Sequence, residues 1–373
     1  MKTQRAPINN NPKSMRVFFI LGRNPKLSRE EILAYMRARN REHKEILFEE
    51  NLFILETNEG EKFDIQEFGG VLKLGQILCE GEEKELREFM KNNELVPADK
   101  FTYGIFGNLD SEILKEKFRK EKKKAILKHG RQRMMMQEGK KLELPNADFY
   151  LFFHAVKDKI YFGLATQDYD YHKIKERDMN KPVRREQLAI SPRLSKILIN
   201  LSEAKPRDLL LDPFCGIGGI LQEALIKGIN VYGIDKDKQA TIDAEKNLDW
   251  IKEKYAIKNN FKIENLDSRK APDLQFVAIA TETPLGRILR KKPNNNEAKQ
   301  IIQNFEAYII PILSKLKNVK KSKAKIAITF PVVNNLHVDT PKIAQKTGLE
   351  VVMKPILESR EDQFISRDII VFQ

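Results

Sequence analysis

Asp208-Leu209-Leu210-Leu211-Asp212-Pro213-Phe214-Cys215-Gly216-Ile217-Gly218-Gly219 is an apolar run that stops at an acid and opens into a glycine loop. Residues 220–227 then read as a helix, Gly228 breaks it, and Asn230-Val231-Tyr232-Gly233-Ile234-Asp235 reads as the next strand. Strand, loop, helix and strand make a βαβ unit. Glycines at 216, 218 and 219 let the backbone approach a ligand at the carboxyl end of the first strand, where open α/β sheets bind theirs. Asp235 lies roughly 20 residues beyond Gly216, the spacing at which an acid ending the second strand accepts from both ribose hydroxyls.

Dinucleotide binding shares this layout, and two residues argue against it. The third glycine of G-x-G-x-x-G falls on Leu221, where helix and strand need close packing. An acid at Asp212 repels a pyrophosphate but suits the cationic methionine end of S-adenosylmethionine. A third strand, residues 261–268, runs to Asp267, which is placed to accept from an adenine amino group. The pattern predicts a Rossmann-like α/β domain over residues 191–373 that binds S-adenosylmethionine through Asp212, Phe214, Gly216, Gly218, Gly219, Asp235 and Asp267.

The strand Phe276-Val277-Ala278-Ile279-Ala280 leads into Thr281-Glu282-Thr283-Pro284-Leu285-Gly286. Methyl transfer to the exocyclic amine of a base usually employs Asp-Pro-Pro-Tyr at this place. The amine's lone pair is spread into the ring, so an acceptor side chain and a carbonyl must hold its two hydrogens, while the aromatic residue stacks on the flipped base. Here Glu282 stands for the Asp, Thr283 for the first Pro and Leu285 for the Tyr, with Pro284 and Gly286 kept. Glu282 and Pro284 are the candidate catalytic residues. The acceptor is one methylene longer and the stacking surface is gone, and displacement by about 1 Å costs on the order of a hundredfold in rate. A non-catalytic RNA-binding protein that retains the cofactor fold therefore stands as the alternative to an enzyme, with a DNA amino-methyltransferase a weaker third.

The chain has 373 residues, enough for two or three domains, and its 41% apolar and 32% charged residues are a globular composition. Residues 1–14 read as a polar, flexible tail and not a signal peptide. Only Cys79 and Cys215 are present, which fits a reducing, cytoplasmic setting with no metal site and no disulfide. The net charge of +14 is unevenly placed. Residues 111–141 hold twelve Lys and Arg against four Asp and Glu, whereas the rest of the first 190 residues is nearly neutral. Arg119, Lys120, Lys122, Lys123, Lys124, Lys128, Arg131 and Arg133 are the candidate RNA contacts; a lysine-rich helix face that touches only solvent is the competing reading.

From Met15 the pattern is a strand (16–21), a helix starting at Ser28 as N-cap with Glu31 completing a capping box, a strand at 51–57, a glycine turn with an apolar run at 69–78, and a helix at 82–92. A strand at 101–106 leads into a long basic helix, and 149–156 pairs with 159–166 as a hairpin. The boundaries fall at 15–95, 96–167, a polar linker at 168–190, and 191–373.

These residues resemble the THUMP-domain tRNA guanosine N2-methyltransferases, the archaeal-type enzymes acting at tRNA position 10. The likeness runs through Arg177-Asp178-Met179-Asn180-Lys181-Pro182-Val183-Arg184, Ile190-Ser191-Pro192-Arg193-Leu194-Ser195-Lys196 and Leu210-Leu211-Asp212-Pro213-Phe214-Cys215-Gly216 with Glu223-Ala224. A looser likeness, resting on Gly69-Gly70 and Lys73, covers the N-terminal part. The resemblance implies a ferredoxin-like α+β domain at 15–95, a THUMP RNA-binding domain at 96–167, tRNA as partner, S-adenosylmethionine as cofactor, and room for a small activating subunit. The catalytic motif is where this sequence departs most from that pattern.

Overall fold

Gly69 and Gly70 sit where the chain can carry no side chain: a Cβ on Gly69 would come 2.0 Å from the Arg193 carbonyl oxygen, and one on Gly70 would come 2.3 Å from the Ser28 hydroxyl. This close approach ties N-terminal segments into the C-terminal half of the chain. The computed structural model describes residues 14–107, 111–129, 132–135, 141–144, 147–185, 190–284, 292–359 and 364–373. They fall into two compact units, one formed by the described residues of 14–25, 41–66 and 71–169, the other by those of 26–40, 67–70 and 170–373.

In chain order the first part runs β1 (Ser14–Leu21), α1 (Pro25–Ala38), β2 (His43–Glu49), β3 (Leu52–Asn58), β4 (Val71–Gly81), α2 (Glu83–Asn92), β5 (Lys100–Phe106), α3 (Ser111–Lys120), β6 (Lys124–Leu127), β7 (Gln132–Met135), β8 (Lys141–Leu144), β9 (Phe149–Val156) and β10 (Lys159–Asp168). Eight of these strands form one sheet in the order β2-β3-β1-β4-β10-β9-β5-β6. The boundary expected at 95/96 is therefore no break in the first unit, because β4 pairs directly with β10 across it. Phe18 and Phe152 stack at 4.5 Å in its core.

Three expectations change. The first helix starts at Pro25 rather than Ser28, proline being suited to a first turn. Ser28 and Glu31 are consequently buried inside it and form no capping box. Nor is the basic segment one long helix. Lys122 adopts φ +58°, which ends α3, and the chain then lays β6 parallel to β5 with Lys100 opposite Lys124. The stretch expected as a linker contains α4 (Tyr171–Asn180), capped by Asp170 and buried through Ile174 and Arg177.

The second unit continues with α5 (Pro192–Leu201), β11 (Leu209–Asp212), α6 (Gly219–Ile226), β12 (Asn230–Asp235), α7 (Lys238–Lys254), β13 (Phe261–Asn265), β14 (Phe276–Glu282), α8 (Asn295–Val319), β15 (Lys320–Val333), α9 (Thr340–Thr347), β16 (Val351–Glu358) and β17 (Ile365–Phe372). Its sheet has the order β13-β12-β11-β14-β15-β17-β16. The five strands β11 to β15 are parallel, as buried apolar runs joined by helices require, and β17 runs antiparallel to both its neighbours. This is the expected Rossmann-like α/β domain, enlarged by α1, residues 67–70 and α4. The strand order reverses on either side of β11, and ligands bind such sheets beyond the carboxyl ends at that reversal.

Candidate active site

Asp212 ends β11 at the reversal and is buried, with 1% of its surface exposed. Its Oδ1 accepts from the Thr281 hydroxyl at 2.6 Å and from the Phe214 backbone N–H at 3.1 Å. Burial pushes the carboxyl up to about 7; these two hydrogen bonds pull it back, and the charges of Asp235 and Glu282 add to the rise. Three acids thus crowd one spot at the carboxyl edge of the sheet.

The glycine loop answers to backbone geometry. Gly216 and Gly218 take φ +50° and +85°, which an L side chain rarely adopts, and Gly218 is the N-cap of α6. Gly219 is small for a different reason: a Cβ there would meet Ile190 Cγ2 at 2.8 Å. The Gly216 N–H donates to Asp235 Oδ2 at 2.9 Å, while Asp235 Oδ1 accepts from the Asp237 N–H at the same distance. The loop and the second acid are therefore one rigid piece, in front of the N-terminus of α6.

On the next strand end, Asp267 is gripped by Arg269, whose Nε and Nη2 donate to its two oxygens at 2.9 and 2.6 Å and hold the carboxyl down to about 2. Ser268 donates to the Pro213 carbonyl at 2.5 Å and so locks this turn to the glycine loop. Phe214 lies 6.1 Å, ring to ring, from Tyr308 on α8. Burial and the charges of Asp267 and Asp235 raise the Tyr308 phenol, which places it beside the same acids.

Glu282 ends β14, and its Oε1 accepts from Arg367 Nε. Thr283 is fixed from both sides by one residue of β15: its N–H donates to Thr329 Oγ1 at 3.2 Å and its hydroxyl to the Thr329 carbonyl at 2.6 Å. Pro284 is exposed next to them, and Leu285 and Gly286 lie outside the described residues. Asp212, Phe214, Gly216, Gly218, Gly219, Asp235, Asp267 and Glu282 thus come together at one edge of the second unit.

Sequence reading missed Arg367, Tyr308, Thr281 and Asn247. Arg367 and Tyr308 come from a distant strand and helix with no local motif, and Thr281 stands beside Glu282 in the motif but shows its role only through its bond to Asp212. Asn247 is wholly buried in α7 and donates to the carbonyls of Val183 and Ile217 at 3.1 and 3.0 Å, holding the glycine loop from behind. An asparagine in the buried stripe of a helix was the signal available.

The basic residues belong to the first unit. Arg119, Lys120, Lys122, Lys124 and Lys128 are exposed. Lys123 is not: its ammonium donates to Glu94 at 2.5 Å, to the Ala98 carbonyl at 3.3 Å and to the Val96 carbonyl, with 5% of the side chain exposed. It is a strut for the 94–98 turn and drops out of the RNA-contact set. Arg131 and the Arg133 side chain lie outside the described residues.

The acid cluster suits a cationic ligand, and the glycine loop leaves room for its approach, so the residues present fit S-adenosylmethionine. Comparison with known proteins agrees. Residues 181–309 match the RMKL-like methyltransferase domain. The tRNA (guanine(10)-N2)-dimethyltransferase of Pyrococcus abyssi is 25% identical over 340 residues, covering 89% of this chain and 92% of the relative. The enzyme of that name from Methanothermobacter thermautotrophicus is 38% identical over 99 residues, 26% of this chain and 28% of its own. Among solved structures, TrmN from Thermus thermophilus superimposes with a TM-score of 0.54 at 12% identity over 96% of this chain and 99% of that one, a likeness of fold. The methyltransferase match thus falls on the site itself, and over nearly its whole length the chain is similar to a tRNA (guanine(10)-N2)-dimethyltransferase.

Proposed function

We propose that this chain transfers methyl groups from S-adenosylmethionine to the exocyclic N2 of a guanosine in tRNA, in the cytoplasm. The observation that carries the reading is the meeting of Asp212, Asp235 and Glu282 at the strand-order reversal, where burial, with the neighbouring acids adding to it, raises Asp212. Position 10 is the nucleotide named for the Pyrococcus relative and is the first to test.

S-adenosylmethionine, when bound, supplies an electrophilic methyl on a positively charged sulfur. Asp212 and the Gly216–Gly219 backbone hold its methionine end, and Asp235 accepts from the ribose hydroxyls. Phe214 and Tyr308 supply aromatic surface beside the loop. Glu282 accepts one hydrogen of the guanine amine, which helps turn the nitrogen density away from the ring plane and toward the methyl donor. Thr283, pinned to Thr329, keeps the Glu282–Pro284 backbone in register for this contact. The surface at 96–167, read as THUMP-like, grips tRNA phosphates through Arg119, Lys120, Lys122, Lys124 and Lys128, and the strands of 15–95 that share its sheet form its ferredoxin-like companion.

The test is to incubate the protein with unmodified tRNA transcript and labelled methyl donor, then identify the labelled nucleoside. Label in N2-methyl- or N2,N2-dimethylguanosine, abolished by Glu282→Ala, is the expected result. Tight tRNA binding without transfer would instead make the chain a non-catalytic tRNA-binding protein, a reading that the engagement of Glu282 by Arg367 favours. Transfer to duplex DNA and not tRNA would overturn both.

A further inference from the structure

Arg367 stands at an unusual place for a strand residue. On β15, Thr329 lies opposite Glu282 of β14, and Pro331, two residues further toward the carboxyl end, lies opposite Arg367 of β17. Arg367 is thus set beyond the end of β14 and reaches back across β15 to Glu282, with 12% of its side chain exposed. An acceptor and a fixed five-donor fork stand side by side at the edge where the sheet receives ligands.

That pair has a base-shaped complement. The Watson–Crick edge of guanine reads N2–H, N1–H and O6, which is donor, donor, acceptor. A carboxylate covers the first two, and an adjacent guanidinium covers the third. Arginine is also the usual partner of guanine O6 where proteins read bases.

We infer that Arg367 is a specificity-determining residue that donates to O6 of the target guanine while Glu282 accepts from N1 and N2. The inference rests on the guanosine-N2 reading and adds the group that reads the other end of the base's edge.

The test replaces one atom of the substrate. A tRNA carrying 6-thioguanosine at the target nucleotide keeps N1–H and N2 but offers sulfur, a weak acceptor, in place of O6. Wild-type kcat/KM should fall by about tenfold to a hundredfold on the sulfur substrate, as expected when a charged donor loses its acceptor. Arg367→Met should be slow on guanosine and lose no further rate on 6-thioguanosine, and Arg367→Lys should recover part of the discrimination. Equal sulfur effects in wild type and Arg367→Met would make the arginine a structural tie only and overturn the inference. Should Arg367→Met not fold, a wild-type sulfur effect near unity overturns it unaided. Absence of transfer by the wild type to guanosine itself would instead remove the guanosine reading on which this one stands.

Discussion

The Thr281 hydroxyl donates to Asp212 Oδ1 at 2.6 Å, so the acid at the mouth of the glycine loop is held by the residue that precedes the candidate catalytic glutamate. This bond lowers the Asp212 carboxyl, but burial outweighs it and leaves the group at about 7. The sign follows by linkage. With the folded value above that of a free carboxyl, the stabilisation from protonated Asp212 is full below about pH 4 and is lost as pH rises through about 7. A cationic ligand reverses the preference by favouring the ionised acid. Affinity for S-adenosylmethionine should therefore rise by up to about tenfold from pH 6 to pH 8. Calorimetry in two buffers of different ionisation enthalpy should detect the released proton. Asp212→Asn should flatten the profile; an unchanged slope in that variant would assign the proton elsewhere.

Two glycines should fail for different reasons. At Gly218 an added Cβ meets only Ala244 and Leu248 carbons at 3.5 Å, so Gly218→Ala pays for φ +85° alone, about 1–2 kcal/mol, and shifts the loop that faces the cofactor. At Gly69 the Cβ would lie 2.0 Å from a backbone oxygen, which cannot move aside as a side chain can. Gly69→Ala should lower the denaturation midpoint more than Gly218→Ala, while Gly218→Ala should lose more cofactor affinity relative to its stability loss. Denaturant titration and equilibrium dialysis, run on both variants, decide the order.

The parallel half of the fold could be read from the sequence because its strands are short apolar runs ending in acids, and the glycine loop fixes the register of the first βαβ unit. What the sequence hid was long-range. Glu31 has the spacing of a capping-box acid, but its carboxylate accepts from the N–H groups of Gly69 and Gly70 at 2.7 and 2.8 Å and from Asn200 at 2.8 Å. β2 (HKEILFE) is a charged edge strand with little alternation to betray it. Arg367 is one arginine among many until β17 turns antiparallel and carries it back to Glu282. The basic run at 111–141 showed its charge but not the left-handed Lys122 that breaks it into a helix and an edge strand.

The same break divides the lysines by task. Lys120, Lys122, Lys124 and Lys128 project into solvent, whereas Lys123 props the 94–98 turn. Charge reversal at Lys124 and Lys128 should weaken tRNA binding, flatten its salt dependence by about one logarithmic unit of slope for each phosphate released, and leave the melting temperature nearly unchanged. Lys123→Ala should do the opposite, lowering stability with little change in salt slope. Filter binding across a salt series with parallel thermal melts separates the two; a solvent-only role for the face would leave both slopes equal to wild type.

Arg177 and Glu223 form a two-point ion pair, Nε to Oε1 at 3.0 Å and Nη2 to Oε2 at 3.1 Å, with 7% and 3% of their side chains exposed. Lys196 stands 3.9 Å from the same carboxylate, and burial has pushed its ammonium down to about 8. Replacing Glu223 by Leu takes the nearest carboxylate from two buried cations, but they differ in how they can respond. Lys196 can shed its proton, whereas a guanidinium keeps its charge at any accessible pH. The single variant should therefore lose about 3–5 kcal/mol, chiefly through Arg177. Adding Arg177→Met should recover most of that loss, because a well-packed apolar pair often matches the ion pair it replaces. Trp250, the only tryptophan in the chain, packs against the core cluster that includes α6, so its fluorescence through a urea titration reports the unit in question. A double variant no more stable than Glu223→Leu alone would mean that Glu223 is needed by Lys196 rather than by Arg177.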